Sequence, residues 1–201
     1  MITIKKAITK NDYKDFVMFP YKLYKNSKYW VSPIIKEELE MMDKKNNPVF
    51  KNAEAEYFLA IKDNEIVGRI AGIVNWVEVK EQKKNKVRFG WYDVIDDLEV
   101  SEKLIEAVID FGKKRKLSFI EGPVGFSNMD KAGLLTHGFE ELNTMITWYH
   151  NSYQKDHLEK LKMKKLAEWV EYRIQIYSEN DAPEKVKKFS SLIMKRYNLK
   201  A

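Results

Sequence analysis

The feature that most constrains this chain is a pair of β-rich runs, Tyr57-Phe-Leu-Ala-Ile61 and Ile66 to Val74, joined across Asp63-Asn64. Asp and Asn tolerate the left-handed backbone that a tight hairpin connection needs, and the flanking β-branched and aromatic residues suit a pleated, half-buried surface. A third arm, Val87-Arg-Phe-Gly-Trp-Tyr-Asp-Val94, follows the lysine-rich stretch Lys80 to Arg88. It is expected to pair with the preceding run, making a three-strand meander.

Around this meander the apolar period changes several times. Ile2 and Ile4 flank Thr3 as a first strand, and Asn11-Asp12 opens a helix carrying Tyr13, Phe16, Val17 and Tyr24, which Pro20 ends or kinks. Ile34, Ile35, Leu39 and Met42 predict a second helix that stops before Asn46-Asn47-Pro48. From Asp96 the spacing of Val100, Leu104, Val108 and Phe111 is helical, with Lys113 to Lys116 complementing the negative end of the macrodipole. Leu117 to Ile120 then reads as a short buried strand ended by Gly122-Pro123, parallel to its predecessor through a right-handed crossover. Met145 to Tyr149 and Trp169 to Ile176 are expected as further strands, and Tyr153 to Leu161 as a helix. Asp181-Ala-Pro-Glu184 opens a last helix, so the organisation predicted is a domain over 1–178 and a helix or linker over 179–201.

Composition narrows the chemistry. With no cysteine among 201 residues, disulfides, a thiolate nucleophile and cysteine-ligated zinc are excluded. His137, His150 and His157 lack metal-site spacing, so no metal is expected. No signal-peptide core and no run near the roughly 18 apolar residues of a membrane span are present, which predicts a cytoplasmic protein without a membrane partner. A net charge of +6 comes from 36 basic residues interspersed with 30 acidic ones rather than from a basic patch, which disfavours nucleic acid.

The element order, together with Phe19-Pro20-Tyr-Lys-Leu-Tyr24, Trp30-Val-Ser-Pro33, Ala53-Glu-Ala-Glu-Tyr-Phe-Leu-Ala60, Val67-Gly-Arg-Ile-Ala71, Gly122-Pro123 and Gly133-Leu-Leu-Thr-His-Gly-Phe139, resembles a bacterial group within the GNAT (N-acetyltransferase) superfamily. The resemblance runs from about residue 1 to 176. It implies an α/β fold of the GNAT-like acyl-CoA N-acyltransferase type, a mixed, mostly antiparallel central sheet flanked by helices. It further implies transfer of an acyl group from acetyl-CoA or another acyl-CoA to a small-molecule amine, with the cofactor seated where the fourth and fifth strands splay. Many relatives continue into a second GNAT-like domain, so a missing second domain or a homodimer is a further expectation.

Two stretches depart from the superfamily pattern. A glycine-rich loop with a basic residue ordinarily receives the pyrophosphate on free helix N–H groups. Here Val94-Ile-Asp-Asp-Leu-Glu-Val-Ser101 carries no glycine and no basic residue, and its carboxylates would repel a diphosphate. Cofactor contacts would fall to Val94, Ser101 and the next-turn Lys103. The superfamily's acid, a Tyr four residues before Gly-Phe, aligns with Leu158 before Lys162-Met163, leaving Tyr149, Tyr153 or His137 as catalytic candidates. Ser127, Asn128 and Asp130, at the carboxyl edge of the fifth strand, are candidate substrate contacts, and Arg69, Glu54 and Glu56 on the central strands are candidate clamps. Two functions follow: an acyl-CoA-dependent N-acyltransferase of unknown substrate, or a catalytically silent GNAT-like domain that binds a ligand or pairs with a protein.

Overall fold

In the computed structural model, which describes residues 1–127, 129–175, 178 and 181–199, the central hairpin joins strands β2 (Ala53–Lys62) and β3 (Glu65–Asn75). Asp63 and Asn64 both have positive φ, as the turn requires. β1 (Ile2–Lys6) pairs with β2, and β4 (Lys86–Val94) with β3, all antiparallel. β5 (Phe119–Glu121) lies parallel to β4, giving a sheet in the order β1-β2-β3-β4-β5. This is the mixed, mostly antiparallel sheet flanked by helices that the sequence predicts.

Helix α4 (Leu98–Lys113) is the crossover and buries Val100, Leu104, Ile105, Val108 and Phe111 on one face of the sheet, against Ile70, Phe89, Tyr92 and Val94. Helices α1 (Lys10–Leu23) and α2 (Ile35–Met41) flank the second core, where Phe16, Val17, Tyr57, Leu59, Ile73, Trp91 and Phe126 pack together. The start of α1 is a capping box two residues before the expected signal. Asp12 N–H donates to Thr9 Oγ1 (3.2 Å) and Thr9 N–H to the Asp12 carboxylate (2.9 Å). A short α3 (Trp76–Lys80) interrupts the stretch before β4.

Pro20 does not end α1, which continues to Leu23. Proline lacks the N–H that would bond Phe16 O one turn back, and Arg69 Nη1 takes that carbonyl instead at 2.8 Å. A β-bulge on β4 has a comparable local effect. Arg69 faces Asp93 and Ala71 faces Gly90, so Trp91 and Tyr92 together oppose the single residue Ile70, and Trp91 adopts φ 48°. The extra residue reverses the side-chain alternation. Phe89 and Tyr92 face α4, while Trp91 and Asp93 face α1.

After β5 the chain makes a long excursion that ends in α5 (Ser152–Lys160). Met145 to Tyr149 form a turn and irregular chain rather than the expected strand, because Trp148 and Tyr149 are drawn inward against aromatic partners while Met145 stays 90% exposed. The chain divides into two compact units, Met1–Ala167 and Glu168–Ala201. In the second, residues 169–175 form no strand, and Ile176 lies outside the described residues. Val170, Tyr172 and Ile174 alternate as a strand would, yet all are exposed, since an apolar period of two yields a strand only where an edge supplies hydrogen bonds. α6 (Glu184–Tyr197) buries none of its residues. No helix among the described residues is long and apolar enough to cross a membrane.

Candidate active site

The bulge and the proline converge on one buried cluster. Asp93 accepts from Arg69 Nε (2.7 Å) through one carboxylate oxygen and from Tyr24 OH (2.7 Å) through the other, and both side chains of the ion pair are more than nine-tenths buried. Tyr24 OH also lies 3.2 Å from Gln154 Oε1. Burial, and next the negative charge of Asp93, push the Tyr24 phenol well above its usual pKa. Above the cluster a cleft of ≈ 20 Å³, room for about one water molecule, is walled by Trp30, Trp148, Tyr149 and Val31 with Glu38 and Lys131 at its lining. Gly90 permits this closeness, because a Cβ there would meet Val124 O at 2.8 Å and the Trp148 ring at 3.2 Å.

The opposite flank of β4 is differently arranged. β4 and β5 pair over Lys86–Arg88 and Phe119–Glu121, the chain stays against β4 as far as Val124, whose N–H donates to Phe89 O (2.8 Å), and only beyond it does it leave the strand. Helix α5 approaches the freed end of β4: Gln154 Nε2 donates to Tyr92 O (3.0 Å) and Tyr153 OH to Val94 O (2.7 Å). Behind them Tyr92 OH donates to Ser101 Oγ (2.7 Å), Ser101 Oγ lies 2.8 Å from His157 Nδ1, and His157 Nε2 lies 3.1 Å from Asp96 Oδ1. At the start of α4, Glu99 N–H donates to Asp97 Oδ1 (3.0 Å), and Lys62 Nζ bonds Asp97 Oδ2 (2.8 Å). The Lys62 hydrogen bond chiefly lowers the Asp97 pKa.

This flank does not fit acyl-CoA as it stands. Helix N-termini bind phosphates through free N–H groups and positive potential. Here Asp97 already accepts from Glu99 N–H, a second carboxylate, Asp96, stands beside it, and the Tyr92 and Val94 carbonyls are taken. Among the described residues no group of three His, Asp or Glu side chains is arranged to hold a metal ion.

The sequence candidates fall into three places. Tyr149 lines the cleft, edge-on to Tyr24, while its hydroxyl donates to Phe139 O (3.3 Å). Tyr153, Val94 and Ser101 belong to the closed flank: Ser101 is fully buried, and Lys103 is half-buried further along α4. Burial, more than any hydrogen bond, keeps the Tyr153 phenol protonated by raising its pKa. His137 is exposed on its loop, 3.1 Å from Thr136 Oγ1. Asp130 accepts from Ser127 N–H (2.8 Å), shaping the turn between them, and Asn128 lies outside the described residues. Leu158 is buried in the apolar core, and Lys162 has φ 62°, the left-handed conformation that a glycine would favour at that place.

Sequence reasoning named Arg69 but missed Glu38, Tyr24, Asp93 and Gln154. Glu38 had a visible signal: it falls four residues after Ile34 and four before Met42, so a carboxylate sits on the apolar stripe of α2. For the others, no spacing along the chain could join Tyr24 to Gln154.

No family model matches the chain. The protein YghO of Escherichia coli K12 is 29% identical over 172 residues, covering 84% of this chain and 44% of that protein. A bacterial ceramide synthase of Caulobacter vibrioides is 25% identical over 177 residues, covering 88% of this chain and 46% of that protein. The chain therefore spans about half the length of these curated relatives. Among solved structures, a predicted acetyltransferase of Clostridium acetobutylicum with acetyl-CoA superposes with a TM-score of 0.53 at 13% identity, covering 86% of this chain and 96% of that one. An aminoglycoside acetyltransferase from an uncultured soil sample, in complex with sisomicin, gives a TM-score of 0.50 at 12% identity, covering 88% and 97%. With its antiparallel meander, crossover helix and parallel fifth strand, the chain has the GNAT acetyltransferase fold.

Proposed function

We propose that this chain is the GNAT-like part of an acyl-CoA-dependent N-acyltransferase that modifies a small amine. The observation that carries the reading is the buried Arg69–Asp93–Tyr24 cluster under an aromatic cleft, placed beside the point where β4 and β5 part. That is where an open α/β sheet offers a ligand crevice. The neighbours solved with acetyl-CoA and with an aminoglycoside, and the relative that makes ceramide, itself an amide, support amine acylation as the class.

The chain's own residues would serve the acceptor. Trp30, Trp148 and Tyr149 would exclude water from its amine group, and the fixed Asp93–Arg69 pair would keep the cleft floor rigid. Tyr149 and Tyr153 would be the candidate acids, His137, Ser127 and Asp130, on the excursion after β5, would contact a longer substrate, and Asn128 is a further candidate by its place in the sequence. Donor entry would require α5 to release Val94 O and Tyr92 O, with Ser101 and Lys103 exposed by the same movement. The protein would act in the cytoplasm.

A second reading is favoured by the closed β4 flank and the acidic start of α4: a catalytically silent domain that binds or pairs without chemistry. Calorimetric titration with acetyl-CoA and with a long-chain acyl-CoA separates the two. Saturable heat with either supports the acyltransferase. No heat at millimolar donor selects the silent domain.

A further inference from the structure

We propose that Glu38 is the receptor for a protonated amine, and that the cleft it lines takes an ammonium head carried on an apolar body. The proposal deepens the acyltransferase reading, on which it rests only for the amine being an acceptor substrate.

Four charged residues line the cleft, and three of them differ from Glu38 in kind. Arg69 and Asp93 neutralise one another. Lys131 is a cation, and it makes no ion pair within 4 Å with either carboxylate among the described residues. Glu38 is 9% exposed, and the contact that fixes it is a neutral one, Trp91 Nε1 donating to its Oε2 at 2.7 Å. A buried carboxylate held by one neutral donor and no ion pair keeps acceptor capacity for a positive partner. Tyr57 OH, buried and without a hydrogen-bond partner among the described residues, lies close enough to feel the Glu38 charge.

The walls suit the same ligand. Trp30, Trp148, Tyr24 and Tyr149 present aromatic rings, whose faces attract cations. A cleft of ≈ 20 Å³ suits a head the size of an ammonium group, and the rest of the molecule would lie outside. There the chain is apolar. Val31, Ile34, Leu142 and Ile146 are 49–62% exposed on two segments joined by Val31 N–H donating to Asn143 Oδ1 (2.8 Å) and Asn143 N–H to Tyr29 O (3.3 Å).

Calorimetric titration of the whole chain with octylammonium and with octan-1-ol, no acyl donor present, tests this. The expected result is saturable binding of octylammonium, about tenfold or more weaker for octan-1-ol, and a Glu38→Gln variant that loses about tenfold for octylammonium alone. Should that variant fail to fold, Trp30→Leu at a half-buried position is expected to weaken octylammonium more than octan-1-ol. Equal affinity for the two probes, no saturable binding, or unchanged octylammonium affinity in Glu38→Gln overturns the proposal. Because acyl-CoA is absent from the cell, failure to bind acyl-CoA in its own titration leaves this result standing, and the converse holds.

Discussion

The two flanks of β4 solve opposite problems with the same strand. On the α1 side, Glu38 is buried beside an aromatic cleft with a neutral donor and, among the described residues, no ion pair within 4 Å. On the α5 side, Gln154, Tyr153 and His157 bond the polar groups at the strand's end and the start of α4. Unspent polar capacity marks a place where a ligand can bind favourably, whereas satisfied capacity marks a place where a ligand must first displace something. The α1 flank therefore keeps polar capacity for a ligand in this arrangement, and the α5 flank is closed.

The contrast can be broken most forcefully at the ion pair. Arg69→Met should strand Asp93 as a buried charge and free Phe16 O, costing about 3–5 kcal/mol in urea unfolding. A loss under about 1 kcal/mol would mean that water already reaches the cluster. His150, buried next after Tyr149 in the chain, gives the next effect. Burial lowers its pKa from 6.5 to about 4, and its Nδ1 accepts from Leu135 N–H at 3.2 Å, which needs a neutral ring. Because the folded pKa lies below the unfolded one, the unfolded chain binds the extra proton as pH falls through this window. Stability should be full above about pH 6.5 and decline toward pH 4 by about 3 kcal/mol, and His150→Gln should flatten that slope.

On the α5 flank, Gln154→Ala removes the partner of Tyr92 O and Asn151 N–H and should cost about 1–3 kcal/mol. If closure is what keeps acyl-CoA out, the same variant should bind donor more tightly than wild type by calorimetry, despite being less stable. The smallest effect belongs to Lys62–Asp97, which is partly exposed. Asp97→Asn should cost under about 1 kcal/mol at neutral pH. The lowered Asp97 pKa stabilises the fold above the unfolded value of 3.8 and ceases to as pH falls through the folded value, so the difference between wild type and variant should vanish in acid.

Much of the fold was legible because local signals agreed with it. The Asp63-Asn64 turn and its apolar arms specified a hairpin without outside help, and the four-residue spacing along α4 specified which face it buries. The two expected strands that failed, Met145 to Tyr149 and Trp169 onward, have suitable residues but no pairing edge, and an edge is not a property of a segment. The acidic start of α4 was equally legible, since Asp96, Asp97 and Glu99 stand in the sequence itself. What acquires Asp97's carboxylate, and that α5 covers the end of β4, could not be foreseen.

The sequence by itself determined the central hairpin and its third arm, the crossover helix, the sign of the charge at its start and the leucine where a phenol would be expected. Those are consequences of side-chain chemistry and short-range period. Only the tertiary structure decided the site. One extra residue in β4 turned Asp93 to the α1 side, the missing N–H of Pro20 gave Arg69 its carbonyl, and Tyr24 met Gln154 across 130 positions of chain. Each depends on contacts between distant residues, which bury the polar groups and so make their pairing, ionic at Asp93 and neutral at Glu38, matter.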